Sequence, residues 1–452
     1  MKLKKFIGKG IRGYMNHEIN FRESVTFLVG INGSGKTSVL KLINALTAPS
    51  YNLLESIEYS YIELSLVHDT KEYIISSTKD KDNIRISLNH VGFNTTSDVV
   101  NRIDTDFSDL SSIDEDTLMI YSERFNNLPT CQEIRKLSTP IFIGIERMPG
   151  NDILRMLQRT RRVSRLNHSV MSSVDRSLAS IQEQIYDLYR RIAVRQKNLS
   201  DEFRDNIVRE SISLMISKND FYTSVNLHPD IAKYEERRSK FKDALLHAGI
   251  DDAEEITNDF FDNQKKYLEI ITQSPKDDVK ARTEAFLGLS LSNVQMDGID
   301  KIILHEAKYK ETLDKMNEPF TRFVECANLF FKESGKEIKV QDNGLIKVYN
   351  QYLTEDGRMR LHSSDINALS SGEKQIVALI GSLIFSVSNV RPEVMIIDEP
   401  ELSLHLTWQE IFVDSILKAQ PQFQFILATH SPTIISKIER RDWCEDLSRK
   451  MV

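Results

Sequence analysis

Cysteine is scarce: the 452 residues hold three, Cys131, Cys326 and Cys444, far apart and odd in number. No metal-ligand spacing joins them and they cannot all pair, which excludes a disulfide scaffold or a zinc module and fits a reducing compartment. Long hydrophobic runs are missing too. The longest, residues 376–387, is broken by Gly381 and Ser382 and is too short to span a bilayer. The start, Met1-Lys2-Leu3-Lys4-Lys5, is positive, but no apolar stretch follows it, so no signal peptide is expected. Nor is positive charge in excess: 59 Lys and Arg stand against 66 Asp and Glu, a formal charge of −7. A chain held on nucleic acid by bulk charge would be basic, so any DNA contact must come from a local patch or a partner. Together these absences predict a soluble cytoplasmic protein with no membrane partner. With 40% hydrophobic and 28% charged residues, the chain can build one large core or two to three domains.

What is present centres on Val25-Thr26-Phe27-Leu28-Val29-Gly30-Ile31-Asn32-Gly33-Ser34-Gly35-Lys36-Thr37-Ser38. An apolar strand enters a glycine-rich turn and a helix leaves it, and residues 30–37 meet the pattern G-x-x-x-x-G-K-[ST]. Without Cβ atoms the glycines let the loop curl so that its N–H groups face a phosphate. The helix start adds its positive end. Lys36 offers a mobile charge to β and γ phosphates, and the Thr37 hydroxyl can ligate a bridging Mg²⁺. Phosphates and Mg²⁺ are therefore the expected ligands, and the resemblance given below implies that the nucleotide is ATP.

The rest of the chain reads in three blocks. Residues 1–48 predict two strands, the phosphate loop and a helix, and 56–120 an antiparallel β region. A short strand at 140–145 ends in Glu146-Arg147. From about 151 the composition changes. Val174, Leu178, Ile181, Ile185, Leu188 and Ile192 recur at 4-3-4-3-4 spacing, a heptad seam that suits a bundle or a short coiled coil. Arg155, Arg159, Arg161, Arg162 and Arg165 form a basic cluster before it, a solvated face or a contact for a partner. Further helices are expected at 241–271 and 299–331. Past 335, Asp342-Asn343-Gly344 between alternating runs predicts a hairpin. The expected organisation is thus an α/β domain in two halves, 1–150 and 336–452, interrupted by a helical insertion at 151–335.

Three more stretches carry chemistry. Leu369-Ser370-Ser371-Gly372-Glu373 opens an apolar helix and offers free N–H groups and hydroxyls to an anion. Val394-Met395-Ile396-Ile397-Asp398-Glu399 is a buried strand ending in two carboxylates. Asp398 suits the Mg²⁺ shell, and Glu399 can polarise a water aimed at the γ phosphate. A last strand delivers His430 just past its end. Ligands of open α/β sheets collect at the carboxyl ends of strands, so the phosphate loop, Asp398 and His430 are expected on one edge.

In this order the runs resemble the ABC-type ATPases, in the branch shared by SMC proteins, RecF and the overcoming-lysogenization-defect (OLD) nucleases. Residues 30–37, with Ser38 beyond, match the Walker A motif, 369–373 the ABC signature, Asp398-Glu399 Walker B with its catalytic glutamate, and His430 the switch histidine. Glu401-Leu402-Ser403-Leu404-His405 sits where the D-loop belongs, in an OLD-like form. Gln132 is the candidate for the Q-loop glutamine. The resemblance implies an ABC-type head in which the signature of one subunit meets the nucleotide on the Walker A loop of another, so a head-to-tail dimer, or a larger self-assembly, is expected. OLD nucleases carry a further nuclease domain. Only residues 431–452 follow here, so any nuclease is expected to be a separate protein. The build looks most like the stand-alone ATPase subunits of the anti-phage systems Septu, with an HNH nuclease, and PARIS, with a Toprim nuclease. The alternative is an SMC- or RecF-like ATPase of chromosome maintenance.

Overall fold

The computed structural model describes residues 1–90, 95–102, 115–143, 173–216, 231–273, 278–353, 359–386 and 393–450. In chain order the elements are β1 (Lys2–Ile11), β2 (Met15–Asn20), β3 (Val25–Val29), α1 (Lys36–Thr47), α2 (Tyr51–Ser56), β4 (Tyr61–His68), β5 (Lys71–Lys79), β6 (Asn83–His90), β7 (Thr96–Asn101), α3 (Glu115–Asn126), α4 (Pro129–Lys136) and β8 (Ile141–Ile143). Four helices follow: α5 (Ser173–Ile216), α6 (Ile231–His247), α7 (Ala253–Gln273) and α8 (Val279–Phe331). Then come β9 (Lys336–Val340), β10 (Ile346–Leu353), β11 (Met359–Asp365), α9 (Ser371–Gly381), β12 (Val394–Asp398), α10 (Leu406–Ala419), β13 (Gln424–Ala428) and β14 (Cys444–Asp446). Two compact units result, Met1–Tyr186 with Pro319–Val452, and Asp187–Glu318.

The first unit is mixed α/β, as expected. Strands β12 and β13 are buried along their whole length, so their sequences are apolar runs rather than alternations. They lie in a five-stranded parallel sheet of order β14-β3-β13-β12-β8. Strands β2 and β4 alternate between buried and open positions, the period-2 pattern of a sheet with one covered face. They belong to a six-stranded antiparallel sheet of order β2-β1-β4-β5-β6-β7. Helix α1 lends Val39, Leu42, Ile43 and Leu46 to the same core as Ile62, Leu64 and Leu66 of β4. That packing fixes the helix that follows the glycine loop. Gln424, fully buried at the start of β13, stitches the sheets together. Its amide accepts from Leu3 N–H at 2.7 Å and donates to the carbonyls of Leu3 (2.8 Å) and Arg22 (2.7 Å).

Several expectations change in detail. The first 48 residues hold three strands rather than two, because β1 and β2 pair as a hairpin ahead of β3. The last described strand of the β region is β7, and 115–126, expected within that region, is helical. The Asn-Gly turn does join two strands, with Gly344 at φ +78° and Leu345 N–H donating to Asn343 Oδ1, and β11 adds a third strand to that sheet. Glu146-Arg147 and the arginine cluster 155–165 lie outside the described residues.

Among its described residues the second unit holds helices and no strand, with Phe203, Phe241, Leu245, Phe261, Ile299 and Ile302 in its core. The single helix expected over 241–271 is two, α6 and α7. Gly249, at φ +79°, ends the first, and Ile250 N–H closes back on Leu245 O. Leu178, Ile181 and Ile185, the first half of the heptad seam, are buried in the first unit instead. A Cβ added at Gly381 of α9 would lie 2.7 Å from Ile181 Cγ2, so Ile181 of this seam packs against α9. Among the described residues no helix is long and apolar enough to cross a membrane.

Candidate nucleotide site

The loop between β3 and α1 curls tightly enough to exclude side chains at its two ends. A Cβ on Gly30 (φ +150°) would lie 2.7 Å from Ser34 Oγ, and one on Gly35 (φ +87°) 3.0 Å from Met15 Sδ. Asn32 and Gly33 form the exposed crown, while Ser34, Gly35, Lys36 and Ser38 are buried and Thr37 is half-buried. Gly35 caps α1 with no side-chain bond, so the first helical N–H groups keep no side-chain acceptor. The Lys36 ammonium folds back over the loop, donating to Gly30 O at 3.0 Å and Ile31 O at 3.4 Å. Burial pushes its pKa down, against the pull of the Glu399, Asp398 and Glu401 carboxylates. The Ser34 hydroxyl is buried and has no hydrogen-bond partner among the described residues. This set offers an anion a concave ring of N–H groups and one cation.

Sheet register brings the carboxylates and the histidine to the same edge. Leu28 of β3 pairs with Ala428 of β13, and Ala428 with Asp398 of β12, so these three residues lie in one row. Gly30, Glu399 and His430 each follow that row by one or two residues. Asp398 is 4% exposed and lies beside the Thr37 hydroxyl. Burial raises its pKa, opposed by the Thr37 hydroxyl and reinforced by Glu399. Glu399 adopts a left-handed backbone, φ +50° and ψ +59°, with its N–H donating to Ala428 O at 2.8 Å. For a non-glycine residue this conformation costs about 1–2 kcal/mol.

Mg²⁺ is a hard cation that usually takes one or two protein oxygens and completes its shell with phosphate and water. The donor set fits. Asp398 Oδ1 is a buried carboxylate oxygen with no hydrogen-bond partner among the described residues, and the Thr37 hydroxyl lies beside Asp398. Among the described residues no group of three or more His, Cys, Asp or Glu could hold a metal without such help.

The signature-like stretch lies elsewhere in the same unit. Ser370 caps α9 in a reciprocal capping box with Glu373. Glu373 is turned inward, its carboxylate accepting from Ser370 N–H and from Lys336 Nζ at 2.8 and 3.0 Å. Ser370 and Ser371 are exposed, and Gly372 lies 3.6 Å from Trp408 by its would-be Cβ. The next residue, Lys374, pairs with Asp175 of α5 at 2.9 Å. Among the described residues no hydrogen bond or ion pair joins 370–373 to 30–38.

Burial alone would raise the Glu373 pKa, but Lys336 and Ser370 hold it below the ordinary 4.5. A depressed carboxylate contributes stability that is present above its unfolded value and lost as pH falls through the folded one. The Lys336→Met variant is expected to lose about 2 kcal/mol at pH 7. Its urea midpoint should also fall less steeply than wild type below pH 4.5, where that contribution is titrated away. Parallel acid limbs would show that the pair contributes nothing.

Some residues that shape the site carry no legible signal in the sequence. The Arg12 guanidinium donates to Ser38 Oγ at 3.0 Å, and the Ser448 hydroxyl accepts from Ile31 N–H at 3.0 Å, from opposite ends of the chain. Glu401 accepts from His430 N–H at 2.5 Å, Ser431 N–H at 3.2 Å and Thr429 Oγ1 at 2.8 Å. Its place two residues after Asp398-Glu399 was the one available hint. Gln132, the Q-loop candidate, is exposed on α4 with its amide on Asn127 O. It is not at a strand end of the parallel sheet.

A glycine phosphate loop, paired carboxylates and a histidine on one edge of a parallel sheet define the nucleotide-binding α/β ATPases. The chain belongs to the AAA ATPase domain family, whose model matches residues 1–435. Among curated proteins it is similar to the retron Vc95 probable ATPase of Vibrio cholerae, 26% identical over 48% of this chain and 44% of the relative. It is also similar to the retron Ec83 probable ATPase of Escherichia coli, 24% identical over 31% of this chain and 30% of the relative. The chain thus aligns with less than half the length of either relative. Solved structures it is similar to include the Smc head domain with an extended coiled coil from Pyrococcus furiosus (16% identity, 96% of this chain and 91% of that one, TM-score 0.34). Another is the SMC head domain from Thermotoga maritima (14%, 96% and 92%, TM-score 0.33). The family and its retron relatives support the ATPase expectation, and not Septu or PARIS in particular.

Proposed function

We propose that the protein binds and hydrolyses ATP with Mg²⁺, and that it serves as the ATPase subunit of a bacterial anti-phage defence complex. The observation that carries the chemistry is the single row Leu28–Ala428–Asp398, which brings the glycine loop, Asp398-Glu399 and His430 to one sheet edge. In this reading Asn32, Gly33, Ser34, Gly35, Lys36, Thr37 and Ser38 hold the phosphates. Thr37 and Asp398 hold Mg²⁺, which when bound neutralises charge on the β and γ phosphates. Glu399 orients and deprotonates the attacking water, and His430 donates to the γ phosphate.

Ser370 and Ser371 face solvent and make no bond to the loop of their own chain, which supports completion of the site by a second copy. Two chains, head to tail, would enclose two ATP molecules, with Ser370, Ser371 and Gly372 of each at the other's phosphates and Glu373 holding the helix start. Exposed Leu402 and Leu406, 62% and 60% accessible beside Glu399, give that closure apolar surface to bury. The defence assignment is supported by the two retron ATPases among the relatives. A companion nuclease, of HNH or Toprim type, would be the effector, and any DNA contact would come through that complex.

Native mass spectrometry of the tagged protein, drawn gently from its host with ATP and Mg²⁺, tests this. An even-numbered self-assembly carrying a stoichiometric nuclease is expected. A monomer at saturating ATP would overturn the shared site. An assembly that carries DNA alone would move the assignment to chromosome maintenance.

A further inference from the structure

We propose that Glu401 is the positioning residue of the hydrolytic site, setting where His430 stands relative to Glu399. The proposal rests on the reading of His430 given above.

The exits of β12 and β13 are joined by a closed set of bonds. Glu399 N–H donates to Ala428 O at 2.8 Å. Two residues on, one oxygen of the Glu401 carboxylate takes the consecutive N–H groups of His430 and Ser431, at 2.5 and 3.2 Å. The other takes the Thr429 hydroxyl at 2.8 Å. Consecutive N–H groups turned to one point are an anion-binding nest, and here the anion is a side chain of the same chain. Ser431 extends the set: its N–H reaches Thr429 Oγ1 at 3.0 Å and its hydroxyl reaches Gln409 Oε1 at 2.6 Å. Thr429 N–H also donates to Leu28 O at 3.2 Å, in the strand that feeds the glycine loop. His430 is exposed, so its backbone is held by Glu401 while its ring is left free to meet a phosphate.

All three donors to Glu401 are neutral. The hydrogen bonds it makes therefore ask for reach and acceptor geometry, while its charge bears on the Lys36 ammonium. Glutamine at 401 keeps the reach: its carbonyl can accept both N–H groups and its amide can donate to Thr429 Oγ1. Aspartate keeps the charge and loses the reach. A role through charge alone would rank them the other way, and a purely structural role would show as a lower melting temperature with kcat kept.

The test is steady-state ATPase kinetics on the full-length chain with Mg²⁺, comparing E401Q, E401D, H430A and the double variant H430A/E401D, with nucleotide affinity and melting temperature measured alongside. E401D is expected to lower kcat about tenfold or more, the size of effect that follows a misplacement of about 1 Å, with KM and affinity for ATP within about twofold of wild type. E401Q should stay within about threefold of wild-type kcat. The double variant should be no slower than H430A, since both act through one group. A slower E401Q than E401D, or losses that multiply in the double variant, would overturn the positioning role alone. So would an unchanged kcat in E401D beside a lowered one in H430A. An unchanged kcat in H430A would overturn the reading of His430 and this proposal with it.

Discussion

Glu399→Gln is expected to bind ATP and hydrolyse it about 10²- to 10³-fold more slowly than wild type, and to accumulate a closed dimer. The residue sits one position past Asp398, beyond the row that also ends β3 and β13. Its backbone is left-handed, and the strain is held by the Ala428 bond and by Pro400 after it. Glutamine keeps the size and the hydrogen bonding but cannot take a proton from water. Phosphate release at saturating ATP reads the chemistry, and light scattering after gel filtration in ATP and Mg²⁺ reads the dimer. Hydrolysis at the wild-type rate would remove Glu399 from the catalytic role. Slow hydrolysis without dimerisation would keep Glu399 and remove the shared site.

Lys36→Ala is expected to reduce ATP affinity about a hundredfold or more and to leave no measurable turnover. Lys36 is 5% exposed, and its ammonium feels the Glu399, Asp398 and Glu401 carboxylates. It bonds Gly30 O and Ile31 O, so its loss also frees the loop backbone that would face a phosphate. Equilibrium titration with a fluorescent ATP analogue, in the presence of Mg²⁺, measures the affinity. Unchanged binding would place the phosphates elsewhere. Binding lost in Lys36→Ala but kept in Glu399→Gln would separate the two roles on one sheet edge.

Much of this edge was legible because each part depends on local sequence. A buried strand, a glycine turn and a helix start follow one another within residues 25–47, and the same holds for β12 with its two carboxylates. Parallel pairing then needs only the apolar runs to be recognised as strands. The partners of Lys336, Arg12 and Ser448 were not legible. Each reaches across between 26 and 417 positions to its partner, Glu373, Ser38 or Ile31, and a surface lysine, arginine or serine reads alike whether or not it has one. The seam from Val174 to Ile192 was read correctly as helical. Its period could not say which neighbour covers it; at Ile181 that neighbour is Gly381, where a small residue lets the side chain approach. The Gly249 break passed unseen because one glycine in a polar helical stretch is a weak mark beside its charged neighbours.

Glu373 and Lys374 are neighbours on the first turn of α9, and each holds one limb of the long excursion: Asp175 on the way out, Lys336 on the way back. Departure and return are thereby moored at a single turn of helix. The entropy of closing the chain between such moorings grows only with the logarithm of its length, about 0.6 kcal/mol per doubling. Residues between them can be gained or shed over evolutionary time with little effect on the sheet edge. The ATPase framework is in this sense a chassis with a fixed mount, to which excursions of very different size could be fitted.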